Sequence, residues 1–188
     1  MRLDELALAY VARFATSRAK LTRYLSRKIR ESEWIGEVDA VAACEAVADR
    51  MEQLQFLDDR QYAVMRAGAM TRRGMGVRRV KAQLYVDGIA SEDSGEAIAT
   101  AEASALASAI GFARRRRFGA FATRVTDDPK LRERQVAAFL RAGHSMTLDF
   151  VQVFGEESRV PRITRQCLQQ RDTFQGFRRS AKRKGQAR

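Results

Sequence analysis

The chain has little of the chemistry that metal sites and most catalytic sites require. Its 188 residues include one histidine, His144, and two cysteines, Cys44 and Cys167, which share no metal-ligand spacing with it. Two isolated cysteines are more consistent with free thiols than with a disulfide or a zinc site, and free thiols are typical of a reducing compartment. His144 has no sequence-level partner, so a structural or exposed role is favoured over acid–base catalysis. We expect no metal site and no enzymatic activity.

Long apolar runs and a basic N-terminal segment are also missing. The most apolar stretch, residues 97–113, is rich in alanine and serine and contains Glu102, so it is too polar for a membrane span. The first five residues include an acidic pair where a secretory signal would be basic. These features predict a cytoplasmic protein that does not enter a membrane.

Proline is scarce as well, and its scarcity favours helices. Pro129 and Pro161 are the only two, while the helix-forming residues alanine, arginine, leucine, glutamate and glutamine dominate the chain. Apolar residues make up 45% of the sequence, enough to form a core. The composition therefore predicts an all-α fold.

A basic amphipathic helix followed by a turn recurs three times, at a spacing of roughly 55 residues. A large apolar residue stands four positions before each turn, where it can face a core: Leu25, Leu84 and Phe139. Such recurrence is typical of helical repeats, which present long surfaces to partners. We predict three-helix repeats at residues 3–57, 58–105 and 106–158, followed by a basic C-terminal tail at 159–188.

Local signals predict where several helices begin and end. Asp58 and the Asp127-Asp128-Pro129 segment are typical helix starts, although Asp58-Asp59 also permits a metal pair. Gly88 and Gly143 are typical helix ends, and Ser91 is expected to cap the helix after Gly88. A third helix is expected from about Trp34 to Leu54, and the boundary between the second and third units is expected near Thr100. A last helix capped by Ser145 should carry Phe150, Val151 and Phe154 on one face. The residues of the third helix expected to face inward are Ile35, Val38, Val41, Ala48, Met51 and Leu54.

The net charge of +12 is unevenly distributed. Residues 159–188 carry +9 of it, whereas the first 110 residues are neutral overall. Within that neutral part, cations dominate the first two helices of each unit and acids dominate the third. Stacked units would then set a basic edge against an acidic one, and ordinary solvated helix faces are the alternative interpretation.

Two cationic clusters are the best candidates for a binding site. One surrounds the Gly74-Met75-Gly76 turn and comprises Arg72, Arg73, Arg78, Arg79 and Lys81; the other precedes Phe118 and comprises Arg114, Arg115, Arg116 and Arg117. A helix N-terminus and guanidinium groups suit phosphates and carboxylates alike. The turn lacks the Lys-Ser/Thr pair of a phosphate-binding loop. These residues therefore leave open whether the partner is a nucleic acid or an acidic protein.

Several motifs resemble the RecX family of regulators of the RecA recombinase, over about residues 3–155. Leu57-Asp58-Asp59, with Tyr62-Ala63 after it, is similar to the signature between the family's first two repeats. Gly74-x-Gly76, with Arg79-Val80 and Leu84-x-x-x-Gly88-Ile89 after it, is similar to the second-repeat signature. The segments 113–119 and 140–145 look like the third, whereas Arg30-Glu31 stands near the glycine turn of the family's first repeat.

The resemblance implies three-helix units in an elongated, curved array. It also implies a protein that lies in the groove of the RecA–DNA filament and limits ATPase and strand exchange during DNA repair and recombination. Such a protein has no cofactor, and we expect it to be a monomer. The alternative is a DNA- or RNA-binding module with helix-turn-helix-like units and a basic tail.

Overall fold

The computed structural model describes residues 3–32, 39–123, 128–146 and 153–154, and these residues form helices and turns without a strand. The all-α prediction is confirmed. The helices are α1 (Leu3–Val11), α2 (Arg18–Glu31), α3 (Ala40–Gln53), α4 (Asp59–Arg72), α5 (Val77–Asp87), α6 (Ser91–Ala103), α7 (Ala105–Arg116) and α8 (Pro129–Arg141), with a short 3-10 turn at Gly119–Phe121.

The buried apolar residues form three clusters along the chain. The first lies among α1, α2 and α3, the second among α4, α5 and α6, and the third among α7, α8 and residues 153–154. Leu25, Leu84 and Phe139 each lie in a different cluster and are at most 2% exposed. The predicted burial of these three residues is confirmed. The repeat boundaries and the curved array stay predictions.

Side-chain caps begin α2, α4 and α8, the last two as the sequence predicts. The Ser17 hydroxyl accepts a hydrogen bond from the backbone N–H of Lys20, and the Asp58 carboxylate accepts one from the N–H of Gln61 at 2.7 Å. Asp128 caps α8, whose first residue is Pro129. The neighbouring Asp59 carboxylate accepts the backbone N–H of Arg18 at 2.8 Å. Both aspartates of the possible metal pair therefore have hydrogen-bonding roles.

Some predicted boundaries were wrong. Helix α3 begins at Ala40, capped by Asp39, while residues 33–38 lie outside the described part of the chain. Val41 is 65% exposed and Leu54 is 56% exposed because they lie at the two ends of α3, beyond Cys44, Ala48 and Met51, which pack into the first cluster. Val41 lies in the first turn, before these residues, and Leu54 follows the last turn.

The start of α6 also differs from expectation. Ser91 is the first helical residue, not the cap, because Ala90 has the extended backbone (φ −67°, ψ 157°) that precedes the helix. Helix α6 gives way to α7 at Ser104, and the boundary expected near Thr100 between the second and third units stays a prediction. Phe154 is buried, as expected, but Phe150 and Val151 lie outside the described residues.

The glycine-less end of α2 is shaped differently from the glycine ends of α5 and α8. The backbone of Gly88 and Gly143 adopts the left-handed conformation, with φ of 81° and 94°. Ser32, which follows Arg30-Glu31, is instead extended (φ −122°), and its backbone N–H returns to the carbonyl of Ile29.

Opposite charges among the described residues pair mainly within the first group of helices, α1 to α3, and within the second, α4 to α6. The Arg18 guanidinium of α2 contacts three carboxylates of α3, those of Glu45, Asp49 and Glu52. In the second group, α6 supplies the carboxylates for Arg60 and Lys81. Among the described residues, one ion pair joins two successive groups: Lys20 of α2 pairs with Asp87 of α5. The segregated charges therefore hold neighbouring helices of a group together.

Candidate functional site

The turn between α4 and α5 is enclosed by residues that lie far away in sequence. The backbone N–H of Gly76 donates to the carbonyl of Ala142 at 2.9 Å, and that of Arg78 donates to the carbonyl of Gly143 at 3.1 Å. A Cβ atom on Gly76 would collide with the Gly143 backbone, so only glycine permits this approach. The start of α5 is thus fixed to the end of α8.

His144 contacts the same turn between α4 and α5. Its side chain is buried and stacks on Phe139, with ring centroids 4.4 Å apart. Its Nε2 lies 3.0 Å from the carbonyl oxygen of Gly74, a distance at which a protonated Nε2 donates a hydrogen bond. The Ser108 hydroxyl donates to the next carbonyl, that of Met75, at 2.9 Å. The structural role expected for His144 is confirmed.

The two cationic clusters of the sequence meet at Gly74. This residue has a left-handed backbone (φ 75°), and a Cβ atom on it would collide with the Arg115 guanidinium, which lies directly over the turn. Arg115 belongs to the last turn of α7, as do its arginine neighbours. We name the eight exposed arginines of this surface the basic corner: Arg72, Arg73, Arg78, Arg79, Arg114, Arg115, Arg116 and Arg117.

The arginines of the basic corner lack carboxylate partners among the described residues. The guanidinium of Arg114 lies over the Phe121 ring, and that of Arg116 lies over the Phe112 ring, at 5.3 and 5.9 Å from the centroids. Lys81 differs, because its ammonium pairs with Glu102 at 2.8 Å. A concentration of uncompensated positive charge creates a potential that attracts carboxylates or phosphates.

A buried carboxylate joins α2 to α4 and α5, and sequence reasoning missed it. The Asp87 side chain is 2% exposed and accepts hydrogen bonds from the Tyr62 hydroxyl and the Gln83 amide, each at 2.9 Å. The Lys20 ammonium lies 3.0 Å from Oδ1, and the Arg66 Nε lies 3.3 Å from Oδ2. Asp87 therefore connects the first two groups of helices.

The surroundings of this junction favour the ionised forms of both Asp87 and Lys20. Burial alone would raise the pKa of the Asp87 carboxyl, but the donors around it, with Lys20 first, hold that pKa below its ordinary value. Burial would lower the pKa of Lys20, but Tyr62 and Asp87 raise it overall. A sequence signal was available, because an aspartate in the last turn of a helix opposes the helix dipole unless a cation compensates it.

None of the helices among the described residues is long and apolar enough to cross a membrane. In the same part of the chain, no group of three or more histidine, cysteine, aspartate or glutamate residues is arranged to hold a metal ion.

The chain is similar in sequence to known proteins over most of its length. No protein-family model matches the chain. The chain is 31% identical over 148 residues to the regulatory protein RecX of Myxococcus xanthus strain DK1622, an alignment covering 76% of this chain and 79% of that protein. It is 32% identical over 125 residues to the regulatory protein RecX of Agrobacterium fabrum strain C58, covering 66% of each. The similarity thus extends well beyond the basic corner.

Proposed function

The chain belongs to the RecX family of regulatory proteins, and from this premise we propose that it inhibits the RecA recombinase. It binds in the groove of the RecA–DNA filament and limits ATP hydrolysis and strand exchange. It catalyses no reaction of its own, requires no cofactor and acts as a monomer. Its place of action is the cytoplasm, where RecA assembles on DNA during repair and recombination.

The basic corner is the observation that carries this proposal. Its arginines are exposed and have no carboxylate partner among the described residues, so their mutual repulsion is uncompensated in the free protein. A RecA–DNA filament combines a protein surface with phosphates, and guanidinium groups bind carboxylates and phosphates with equal geometric ease. Binding there would relieve the repulsion.

The backbone contacts around Gly74 and Gly76 support the proposal further. The N–H groups of Gly76 and Arg78 hold the start of α5 to the end of α8, and the Ser108 hydroxyl of α7 holds the Met75 carbonyl of the turn, before any partner binds. A surface fixed in advance loses less conformational entropy on binding than a mobile one. The corner is therefore arranged as a preformed site.

The proposed repeats account for how one molecule would contact several RecA protomers. We take residues 3–57, 58–105 and 106–158 as three-helix units, since each range contains one of the buried clusters. Units joined end to end form extended surfaces of the kind that repeat proteins use for binding. An elongated, curved array of this kind would follow a helical groove.

The test is the ATPase activity of RecA on single-stranded DNA, titrated with the full-length protein. We expect the rate to fall to a plateau as the protein is added. A second titration in excess single-stranded DNA separates filament binding from sequestration of the DNA, because sequestration is reversed by free DNA. An unchanged ATPase rate, or inhibition that excess DNA abolishes, would contradict the proposal.

Nucleic-acid binding without RecA is the second candidate, and the charge of +9 on residues 159–188 favours it. Phosphate-driven binding weakens steeply with salt, by about one unit of log–log slope per phosphate contacted. Inhibition of RecA that survives at salt concentrations where direct DNA binding is lost would separate the two functions.

A further inference from the structure

A second surface lies at the opposite end of α5 from the basic corner. There the last turn of α5 meets the end of α1 and one face of α2, leaving an open groove of about 530 Å³. We name it the aromatic groove, after its principal lining residues: Tyr10, Phe14, Arg23, Tyr24, Arg27 and Val86. Nothing in the proposed RecA function assigns it a role.

Three aromatic rings in this groove are already arranged against one another. Tyr10 and Tyr24 stack with centroids 4.3 Å apart and planes at 15°, and both pack against the first hydrophobic cluster, which holds them in place. The Phe14 centroid lies 5.3 Å from that of Tyr10, with the two ring planes tilted at 49°. Phe14 is 55% exposed, so one ring beside the stacked pair is open to solvent. An exposed ring of this kind is suited to stacking with another planar group.

The charge of the groove is positive. The Arg23 guanidinium is held at its edge by the backbone carbonyls of Ala19 and Val86, at 3.0 and 3.1 Å, without a carboxylate among the described residues. The Arg27 guanidinium lies 5.6 Å from the Tyr24 centroid, and its Nε lies 3.5 Å from the Glu31 carboxylate in an exposed pair that a phosphate can displace. The one acid lining the groove, Asp87, is already paired with Lys20. The groove thus places positively charged side chains next to the faces of aromatic rings.

An exposed face of α5 runs from the basic corner toward the end of the helix that lines the aromatic groove. Arg78, Ala82 and Tyr85 follow helical spacing along this face, and all three are exposed, Tyr85 at 83%. From Arg78 to Val86 the helix rises by roughly 12 Å. A chain molecule lying along α5 would meet arginines at one end and aromatic rings at the other.

We propose that the aromatic groove binds unpaired bases of single-stranded DNA, with a base stacked on Phe14 and the neighbouring phosphates at Arg23 and Arg27. Non-specific binding of single strands elsewhere combines a cationic path with aromatic platforms in this way. Duplex DNA buries its base faces and could offer only phosphates. An acidic protein segment would satisfy the arginines but has few planar groups to stack on the exposed rings. The site is separate from the RecA proposal and stands or fails without it.

The experiment measures binding of the full-length protein to two labelled strands by fluorescence anisotropy at one salt concentration. One strand is an oligothymidylate of about 15 nucleotides, and the other is an abasic strand of the same length, which has phosphates but no bases. We expect the wild-type protein to bind the base-bearing strand about tenfold more tightly, which is within the range of one base–aromatic stack.

Phe14→Ala should remove most of that preference and leave the affinity for the abasic strand unchanged. Phe56→Ala is the matched control, because Phe56 is 52% exposed and does not line the groove. Arg23→Gln should instead weaken binding of both strands equally. Circular dichroism melts confirm folding. Should Phe14→Ala fail to fold, Phe14→Leu gives a second reading, because leucine keeps most of the apolar volume but has no ring to stack on a base.

Three results would overturn the proposal. The first is equal binding of the two strands by the wild-type protein, and the second is a base preference that survives in folded Phe14→Ala or, failing that variant, in Phe14→Leu. The third is displacement of the oligothymidylate by polyglutamate of matched charge as effectively as by unlabelled oligothymidylate. That result would show that the groove recognises charge alone and suits an acidic protein segment.

Discussion

Replacing Asp87 with asparagine should destabilise the junction between the first two groups of helices. The carboxylate offers two acceptor oxygens to donors that surround it, among them the Tyr62 hydroxyl and the Gln83 amide. Asparagine keeps the shape but has one acceptor oxygen and one NH2 group. Whichever way its amide turns, N–H groups face other donors, and the Lys20 ammonium loses its counterion.

The expected loss of stability depends on how deeply the ion pairs of Asp87 are buried. Removing one partner of a fully buried ion pair costs about 3–5 kcal/mol. Asp87 is almost fully buried, but the side chains of Lys20 and Arg66 are 29% and 35% exposed, so water compensates part of the loss. We therefore expect the free energy of unfolding to fall by about 2–3 kcal/mol at neutral pH.

The pH dependence gives an independent check on the same contact. The pKa of Asp87 is lowered on folding, so its contribution to stability is present above the ordinary carboxyl pKa of about 3.9 and is lost as the pH falls through the folded value. The pKa of Lys20 is raised, so its contribution is present below about pH 10.5 and is lost only above it. The difference between wild type and Asp87→Asn should be constant from about pH 5 to 9 and shrink below about pH 4.

Urea unfolding followed by circular dichroism measures both effects. Asp49→Asn is the matched control, because it makes the same chemical change in an ion pair with Arg18 whose aspartate side chain is 55% exposed. The control should change stability by less than about 1 kcal/mol. The reasoning is refuted if Asp87→Asn costs no more than Asp49→Asn, or if its cost grows in acid.

Three further predictions concern a cap, a close approach and the charged C-terminal segment. Asp58→Asn should be nearly neutral and Asp58→Ala should cost about 1 kcal/mol in thermal melts; a melting shift caused by EDTA would instead indicate a metal. Gly76→Ala should cost more than about 2 kcal/mol in urea unfolding, because its Cβ would meet the Gly143 backbone; a near-neutral effect would show that α8 moves aside easily. Removing residues 159–188 should weaken direct DNA binding more than RecA inhibition, and equal losses would contradict the separation.

Local signals in the sequence predicted much of the fold because they act within one or two helical turns. Asp58 caps α4 through the N–H of Gln61, three residues later, and Pro129 fits the first position of α8. Leu25, Leu84 and Phe139 are buried because helical spacing places them on the face turned toward neighbouring helices. These features depend on few residues and can be inferred without knowing the tertiary structure.

The features that sequence reasoning missed depend on contacts between distant residues. His144 meets the Gly74 carbonyl across 70 positions, and the Ser17 hydroxyl meets the Asp87 carbonyl across the same interval. The proximity of Arg115 to Gly74 likewise depends on how α7 packs beside α4. The sequence identified cationic clusters, but it did not show that Lys81 is neutralised by Glu102 while the neighbouring arginines lack such partners.

The most direct test of the central proposal is RecA ATPase on single-stranded DNA in the presence of Arg78→Glu/Arg79→Glu. Both side chains are exposed, and acids are favourable at a helix N-terminus, so α5 should keep its helicity by circular dichroism. Arg132→Glu/Arg134→Glu makes the same charge change on exposed positions of α8 and is the matched control. We expect the α5 pair to abolish inhibition and the α8 pair to retain it. Full inhibition by a folded Arg78→Glu/Arg79→Glu protein would contradict the role of the basic corner.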